Sequence, residues 1–122
     1  MTSGIRAPTR AQASGAAAEE LAARFLERHG LAIVARNYRT RLGEIDLVAR
    51  EGPTLVFVEV RMRSSDGFGG AAGSIGAHKQ ARIVAAARQF LARIRQEPPC
   101  RFDVVTLDGD TPKWLRGAFE VS

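Results

Sequence analysis

The run TLVFVEVRMR, from Thr54 to Arg63, constrains the fold more than any other segment of the sequence. It is rich in β-branched residues and almost continuously apolar, which is typical of a strand covered on both faces. The run therefore predicts the middle strand of a sheet. Glu59 lies inside it, and burying an ionised carboxylate costs at least a few kcal/mol unless a cation compensates the charge. We expect a charged partner for Glu59.

The segments around this run also have strand patterns. In EIDLVAR, Glu44 to Arg50, apolar and polar residues alternate, which predicts that Glu44 and Asp46 share one face of a strand. The opposite face is predicted to carry Ile45, Leu47 and Ala49. Only three residues, EGP, separate this strand from Thr54, so the two strands are predicted to be adjacent and antiparallel. Further strands are predicted at Leu31–Asn37, Arg101–Leu107 and Lys113–Val121.

Apolar residues at helical spacing predict two helices. The first follows Ser14, a suitable N-cap, and ends before Gly30, where a C-terminal glycine belongs. Pro98 and Pro99 are expected to terminate the second helix. The residues at this spacing are Ala18, Leu21, Ala22, Phe25 and Leu26 in the first helix. In the second helix, the predicted buried face consists of Ile83, Ala87, Phe90, Leu91 and Ile94.

The order α-β-β-β-α-β-β predicts the α/β fold class, with one domain built on a central mixed five-stranded sheet flanked by helices. Residues 1–13 are small, polar and basic, and are predicted to form a flexible tail ahead of a domain over residues 14–122. The stretch SSDGFGGAAGS, Ser64 to Ser74, is too rich in glycine and serine for a regular element and is predicted to be a loop.

The charge balance favours a polyanionic partner. The chain has 18 Lys+Arg against 13 Asp+Glu, for a net charge of +5, and its sequence pI is about 10.6. All but two of the cations are arginines, whose planar side chains bind phosphate through two parallel hydrogen bonds. Many basic proteins bind no nucleic acid, so this signal is weak on its own. The arginine-rich composition modestly favours contact with phosphate.

The sequence also indicates a cellular compartment. Cys100 is the single cysteine, which excludes an internal disulfide and fits a reducing cytosol. The N-terminal segment has no apolar core of signal-peptide length, and no window approaches the roughly 20 apolar residues that span a bilayer. We expect a cytoplasmic protein with no membrane partner.

Asp46 and Glu59 lie on strands that are predicted to be adjacent, and two interpretations follow. In the structural one, Glu59 forms a buried ion pair with Arg61 or with an arginine of a neighbouring strand. In the functional one, Asp46 and Glu59 together hold Mg²⁺, which prefers one or two carboxylates plus water and substrate phosphate. Spacing alone favours the structural interpretation and does not decide between them.

GEIDLVAR, Gly43 to Arg50, and LVFVEVRMR, Leu55 to Arg63, closely resemble the YraN family of uncharacterised bacterial proteins. The resemblance covers almost all of the chain after the predicted tail. It extends to Gly15 and Glu19 on the first helix, RNYR at Arg36–Arg39, FGG at Phe68–Gly70, the segment Lys79–Ile83 and RFDVV at Arg101–Val105. That family resembles a branch of the PD-(D/E)XK nucleases and is similar in fold to the archaeal Holliday-junction resolvases.

The resemblance implies a restriction-endonuclease-like domain with a site for Mg²⁺ or Mn²⁺. Asp46 matches the aspartate of the motif, Glu59 its second acid, and Glu19 the helix glutamate that joins some of these metal sites. The motif has lysine two residues after the second acid, where this chain has Arg61. Arginine can hold a phosphate but cannot deprotonate to act as a general base. The attacking water would be activated without such a lysine, or Lys79 would replace it.

Lys79 borders the predicted buried face of the second helix, so it can lean towards a site on the sheet or simply extend its ammonium into water. Arginines near the turn before Glu44 and on the second helix are expected to contact a phosphate backbone, although each by itself also fits a solvated surface. Tyr38 and Phe68 can stack on bases, and Phe68 can equally anchor its loop. The expected nucleic-acid-binding residues are Arg36, Arg39, Arg41 and Arg82.

Two main functions follow, beside a weaker third in which a structural protein has a basic surface that only confers solubility. The first is a Mg²⁺- or Mn²⁺-dependent nuclease acting on DNA, including branched or structured forms, with Asp46, Glu59, Arg61 and Lys79 as catalytic residues. Its metal ligands would be Glu19, Asp46 and Glu59. The second is a nucleic-acid-binding or scaffold protein that keeps the nuclease fold without turnover, which Arg61 favours. The similar resolvases act as dimers, so a homodimer is an alternative that the sequence leaves open.

Overall fold

The computed structural model has a sheet of five strands that lie side by side in chain order, with a helix packed on each face. It describes residues 10–62 and 75–121. The helices are α1 (Arg10–Arg28) and α2 (Ala77–Ile94); the strands are β1 (Ala32–Arg39), β2 (Glu44–Glu51), β3 (Thr54–Met62), β4 (Cys100–Asp108) and β5 (Thr111–Phe119). The predicted α/β class and mixed five-stranded sheet are confirmed.

Strand directions follow from the lengths of the connections. β2 and β3 are antiparallel and joined by a tight turn in which Gly52 has φ of 58°, as the sequence predicts. β3 and β4 are parallel, because α2 lies between them in the chain and carries it back across the sheet. The remaining neighbours, β1 with β2 and β4 with β5, are antiparallel.

β3 is the third of the five strands, and its residues from Leu55 to Glu59 are all buried. Its side chains alternate between two cores, one beneath each helix. The α2 core includes Leu55, Phe57, Ile83, Phe90, Phe102 and Val104. The α1 core includes Leu26, Leu47, Val56, Val58 and Val105. This explains the nearly continuous apolar run, since both faces of β3 are covered.

Three details of the prediction are wrong. α1 begins at Arg10, ahead of the predicted N-cap Ser14, because the alanine-rich stretch before Gly15 has high helix propensity. α2 ends at Ile94, before the prolines, and is capped by Arg95 in the left-handed conformation. The common face predicted for Ile45, Leu47 and Ala49 does not exist.

Ile45 packs in the α2 core, whereas Leu47 and Ala49 pack in the α1 core. Side-chain alternation therefore shifts by one residue around Asp46. The physical reason is that regular pairing of β2 with β3 starts only at Leu47, opposite Val58, so the residues before it are not held in register by β3.

Other parts of the prediction lie outside the described residues. These are residues 1–9 of the predicted tail, and the predicted loop with its Phe68. The division into tail and domain at residue 14 stays a prediction. Among the helices in the described part of the chain, none is long and apolar enough to cross a membrane.

Candidate functional site

The carboxyl groups of Asp46 and Glu59 meet where β2 and β3 cease to pair regularly. Asp46 lies one residue before the first β2–β3 pair, and its Oδ2 accepts a hydrogen bond of 2.8 Å from the amide of Val60. The side chain of Asp46 therefore hydrogen-bonds to the backbone of β3 just beyond the last regular pair between β2 and β3. The side chain of Glu59, the residue before Val60 on β3, lies close enough to Asp46 to hydrogen-bond with its carboxyl group.

Two carboxyl groups can hydrogen-bond to each other only if they share a proton, and the surroundings favour Glu59 as its carrier. Burial, followed by the charge of Asp46, raises the pKa of Glu59 to about 7. Burial also raises the pKa of Asp46, but the amide of Val60 and the hydrogen bond from Glu59 oppose this rise. Glu59 is therefore about half protonated near pH 7, and the pair approaches a single negative charge below that pH.

Lys79 places a cation beside the carboxyl pair. Its Nζ lies 3.5 Å from Oε2 of Glu59, and its side chain is 47% exposed, so the ammonium faces both the carboxyl pair and solvent. Lys79 lies in the first turn of α2. The sequence left open whether Lys79 leans towards the sheet, and the structure brings it there.

Gly43 determines how closely α2 approaches β2. A Cβ atom at this position would lie 2.0 Å from the backbone oxygen of Arg82, a distance that no side chain can tolerate. Only glycine permits this contact between the start of β2 and the first half of α2. The glycine of the GEID segment therefore helps to hold Lys79 beside Glu59, which is a role that sequence reasoning did not assign.

Glu19, the third predicted metal ligand, lies close enough for its charge to interact with Asp46 and Glu44, and burial raises its pKa. Its Oε1 accepts a hydrogen bond of 2.9 Å from Asn37, which has a positive φ of 50° within β1. Within residues 10–62 and 75–121, no three His, Cys, Asp or Glu side chains form a group that could hold a metal ion. Glu19 is near the carboxyl pair but is held by Asn37.

The predicted arginines differ in their surroundings. Arg36 forms an ion pair of 2.7 Å with Glu20 on α1, so part of its charge is already neutralised. Arg39, Arg41 and Arg82 are exposed, as is Arg61, two residues beyond Glu59 on β3. Tyr38 is half-buried, and its ring packs edge-on against Phe90 at 5.2 Å. It contributes to the core, which argues against base stacking.

A second buried carboxylate, Asp103, was missed by sequence reasoning. It is 1% exposed and accepts hydrogen bonds from Arg101 at 2.8 and 2.9 Å, Trp114 Nε1 at 2.9 Å and the amide of Gly117 at 2.9 Å. Glu51 binds both Arg101 and Arg116 at the same end of the sheet. The Arg101–Asp103 bonds lie within β4, and the others join β4 to β2 and β5 or β5 to β2, so the cluster is structural. The alternation in RFDVV, which puts an aspartate between apolar residues, was the available signal.

The donor set of the carboxyl pair fits a hard divalent cation. Mg²⁺ binds through one or two carboxylates and keeps several waters, so two acids are sufficient protein ligands. Asp46 and Glu59 already bring their oxygens around one shared proton, and a cation that displaced this proton would relieve their mutual repulsion. Beside the buried Glu59, the half-exposed side chain of Lys79 presents a positive charge to solvent.

Fold and site together define a small α/β protein whose central sheet carries a carboxyl pair and a lysine at one end. Residues 18–107 match the sequence pattern of the uncharacterised protein family UPF0102. The chain belongs to this family, which is the YraN family that its motifs resemble.

Relatives of this family match nearly the whole chain. A UPF0102 protein of Cupriavidus taiwanensis is 58% identical over 110 residues, which cover 89% of this chain and 84% of the relative. One from Nitrosomonas europaea is 52% identical over 111 residues, covering 88% and 94%. One from Janthinobacterium sp. (strain Marseille) is 48% identical over 116 residues, covering 95% and 94%.

Proposed function

We propose that this protein is a divalent-cation-dependent phosphodiesterase that acts on DNA, including branched or structured forms. The observation that carries the proposal is the Asp46–Glu59 carboxyl pair with Lys79 Nζ 3.5 Å from Glu59, at one end of the sheet. The likeness of its motifs to PD-(D/E)XK nucleases adds to this support. The free Cys100 supports a cytoplasmic location.

Asp46 and Glu59 would hold Mg²⁺ or Mn²⁺ through carboxylate oxygens. When bound, such a cation supplies positive charge to a scissile phosphate and increases the acidity of a coordinated water. Glu19 lies close enough for its charge to interact with Asp46, and Asn37 orients its carboxylate through a hydrogen bond to Oε1. Glu19 would accept a hydrogen bond from that water rather than bind the cation directly. This assigns Glu19 an auxiliary role.

Lys79 and Arg61 would act on the phosphate. The ammonium of Lys79 is half exposed beside Glu59, so it can contact a phosphate oxygen and balance charge that develops during cleavage. Arg61 is exposed on the same strand as Glu59 and offers the planar group that binds phosphate through two hydrogen bonds. Neither role requires Arg61 to lose a proton.

The test is incubation of the purified protein with single-stranded, duplex, flapped and four-way DNA, with Mg²⁺ or Mn²⁺ and an EDTA control. Asp46→Asn is expected to lower cleavage at least about 100-fold, since outer partners of metal ligands already change activity by 10–100-fold. Asparagine can still accept the hydrogen bond from Val60, so folding is preserved. Asp110→Asn, on the exposed β4–β5 turn, is the matched control and should leave cleavage unchanged.

The second candidate is a nucleic-acid-binding protein without turnover, and Arg61 is the observation that favours it. Arg61→Lys restores the nuclease motif and distinguishes the alternatives. If water activation limits a weak nuclease, cleavage should rise while DNA affinity stays constant. If Arg61 clamps the phosphate, cleavage and affinity should both fall. Absence of cleavage by both forms on every substrate would leave the binding function.

A further inference from the structure

Helix α2 is a strongly basic element of the described chain. Its sequence contains Lys79, Arg82, Arg88 and Arg93 and no Asp or Glu. Several exposed arginines elsewhere have acidic partners: Arg24 and Arg36 pair with Glu20, and Arg116 pairs with Glu51. In residues 10–62 and 75–121, no salt bridge involves Arg82, Arg88 or Arg93. The remaining residues contain one acidic side chain, Asp66, which cannot neutralise all three.

Three of these cations lie on one side of the helix, and we call Lys79, Arg82 and Arg93 the basic flank of α2. Arg82 and Arg93 are eleven residues apart, which is three turns, so they point in directions about 20° apart. Arg88 points about 120° away from Arg82. Lys79 begins the flank beside Glu59, and the contact of Arg82 with Gly43 fixes its start against β2.

We propose that the basic flank of α2 binds the phosphate backbone of duplex DNA that extends away from the Asp46–Glu59 site. This rests on the proposed function only in that the substrate of the site is DNA. The flank covers about 21 Å at 1.5 Å per residue, so a single phosphate cannot contact all of it. The same length corresponds to about six base pairs of duplex at 3.4 Å each.

Duplex DNA fits this flank better than a single strand. Sites for single strands combine positive charge with aromatic side chains on which bases stack. Phe90 is the one Phe, Tyr or Trp of α2, and it is buried in the core. A straight row of cations without a stacking surface matches the stiff phosphate backbone of duplex DNA. The affinity of such binding comes from the release of counterions from the DNA.

The experiment measures binding of a 20-base-pair duplex in EDTA, between 50 and 200 mM salt, for wild type, Arg93→Gln and Arg88→Gln. All three proteins keep the carboxyl pair and Lys79. Loss of one phosphate contact should lower the salt slope, the steepness with which log affinity falls with log salt concentration, by about 0.9. The ratio of wild-type to Arg93→Gln affinity should therefore fall by about 3.5-fold between 50 and 200 mM salt. Arg82→Gln should behave as Arg93→Gln does. Arg88→Gln removes the same charge from the same helix and should leave the slope unchanged.

Equal effects of Arg88→Gln and Arg93→Gln would overturn the proposal, because the total charge of the helix, and not the position of each arginine, would then explain binding. No effect of either substitution would overturn it as well, because Arg93 would then make no phosphate contact. Arg93-dependent binding to vesicles of anionic lipid, with no binding to DNA, would overturn it too. Since binding is measured without metal, the result is independent of turnover. If the protein cleaves DNA with metal but Arg93→Gln leaves the salt slope unchanged, only the proposal of the basic flank is refuted. If Arg93→Gln lowers the slope but the protein cleaves no DNA, only the proposed nuclease activity is refuted.

Discussion

The shared proton of Glu59 predicts an unusual dependence of stability on pH. The folded-state pKa is about 7, against 4.5 for an ordinary glutamate, so between these values the native protein binds more protons than the unfolded chain. The stabilisation is therefore complete below pH 4.5 and is lost as the pH rises through 7. The shift corresponds to roughly 3 kcal/mol at most, because each pKa unit is worth about 1.4 kcal/mol.

Glu59→Gln isolates this effect. Glutamine resembles the protonated acid in shape and can still donate to Asp46, but it does not ionise. We expect the variant to exceed the wild type in free energy of unfolding by less than about 1 kcal/mol near pH 5 and by up to roughly 3 kcal/mol at pH 8. A loss of this size is a substantial part of the 5–15 kcal/mol that stabilises a typical domain.

The assay is urea unfolding followed by circular dichroism from pH 5 to 8.5, with EDTA throughout. The quantity compared is the difference between variant and wild type at each pH, which cancels other titrating groups. Glu97→Gln, an exposed position after α2, controls for the loss of one surface charge. A difference for Glu59→Gln that stays constant over this range would refute the shared proton.

Two further pairs of substitutions test the packing that surrounds the site. Gly43→Ala should destabilise the fold by about 3 kcal/mol, because the new methyl group meets the backbone of Arg82. Gly15→Ala, with open space around it in α1, should stabilise by about 0.5–1 kcal/mol, and equal urea midpoints for the two variants would contradict this account. Asp103→Asn should cost about 3 kcal/mol, since it weakens a buried ion pair with Arg101. Arg116→Gln, which breaks an exposed pair, should cost less than about 1 kcal/mol in the same thermal or urea scan, and a larger loss there than at Asp103 would contradict it.

The sequence predicted the strands well because their signals are local. Continuous apolarity in β3 and the short turn before it determine a central strand and an antiparallel neighbour, and both are confirmed. The shift of side-chain alternation at Asp46 could not be predicted, since it depends on where pairing with β3 begins. The start of α1 was missed because alanine propensity outweighed a plausible cap at Ser14.

For the site, the sequence identified the acids but not their supports. Asp46 and Glu59 stood out because carboxylates are rare in buried strands, and Lys79 because it borders an apolar helix face. Asn37 and Gly43 act through contacts between elements distant in the chain, Asn37 with Glu19 and Gly43 with Arg82. Such contacts depend on tertiary packing, which residue spacing does not encode.

The hydrogen bond from Val60 to Asp46 also bears on which ion the site would accept. It engages one lone pair of Oδ2, so Oδ1 is the oxygen of Asp46 that this bond leaves fully available to a cation. Calcium often takes both oxygens of a carboxylate and gathers six to eight ligands, whereas magnesium keeps octahedral geometry with single-oxygen contacts and retained water. The bond from Val60 thus leaves Asp46 fewer lone pairs for chelation, and under the proposed function it would favour the smaller ion, which needs fewer protein oxygens.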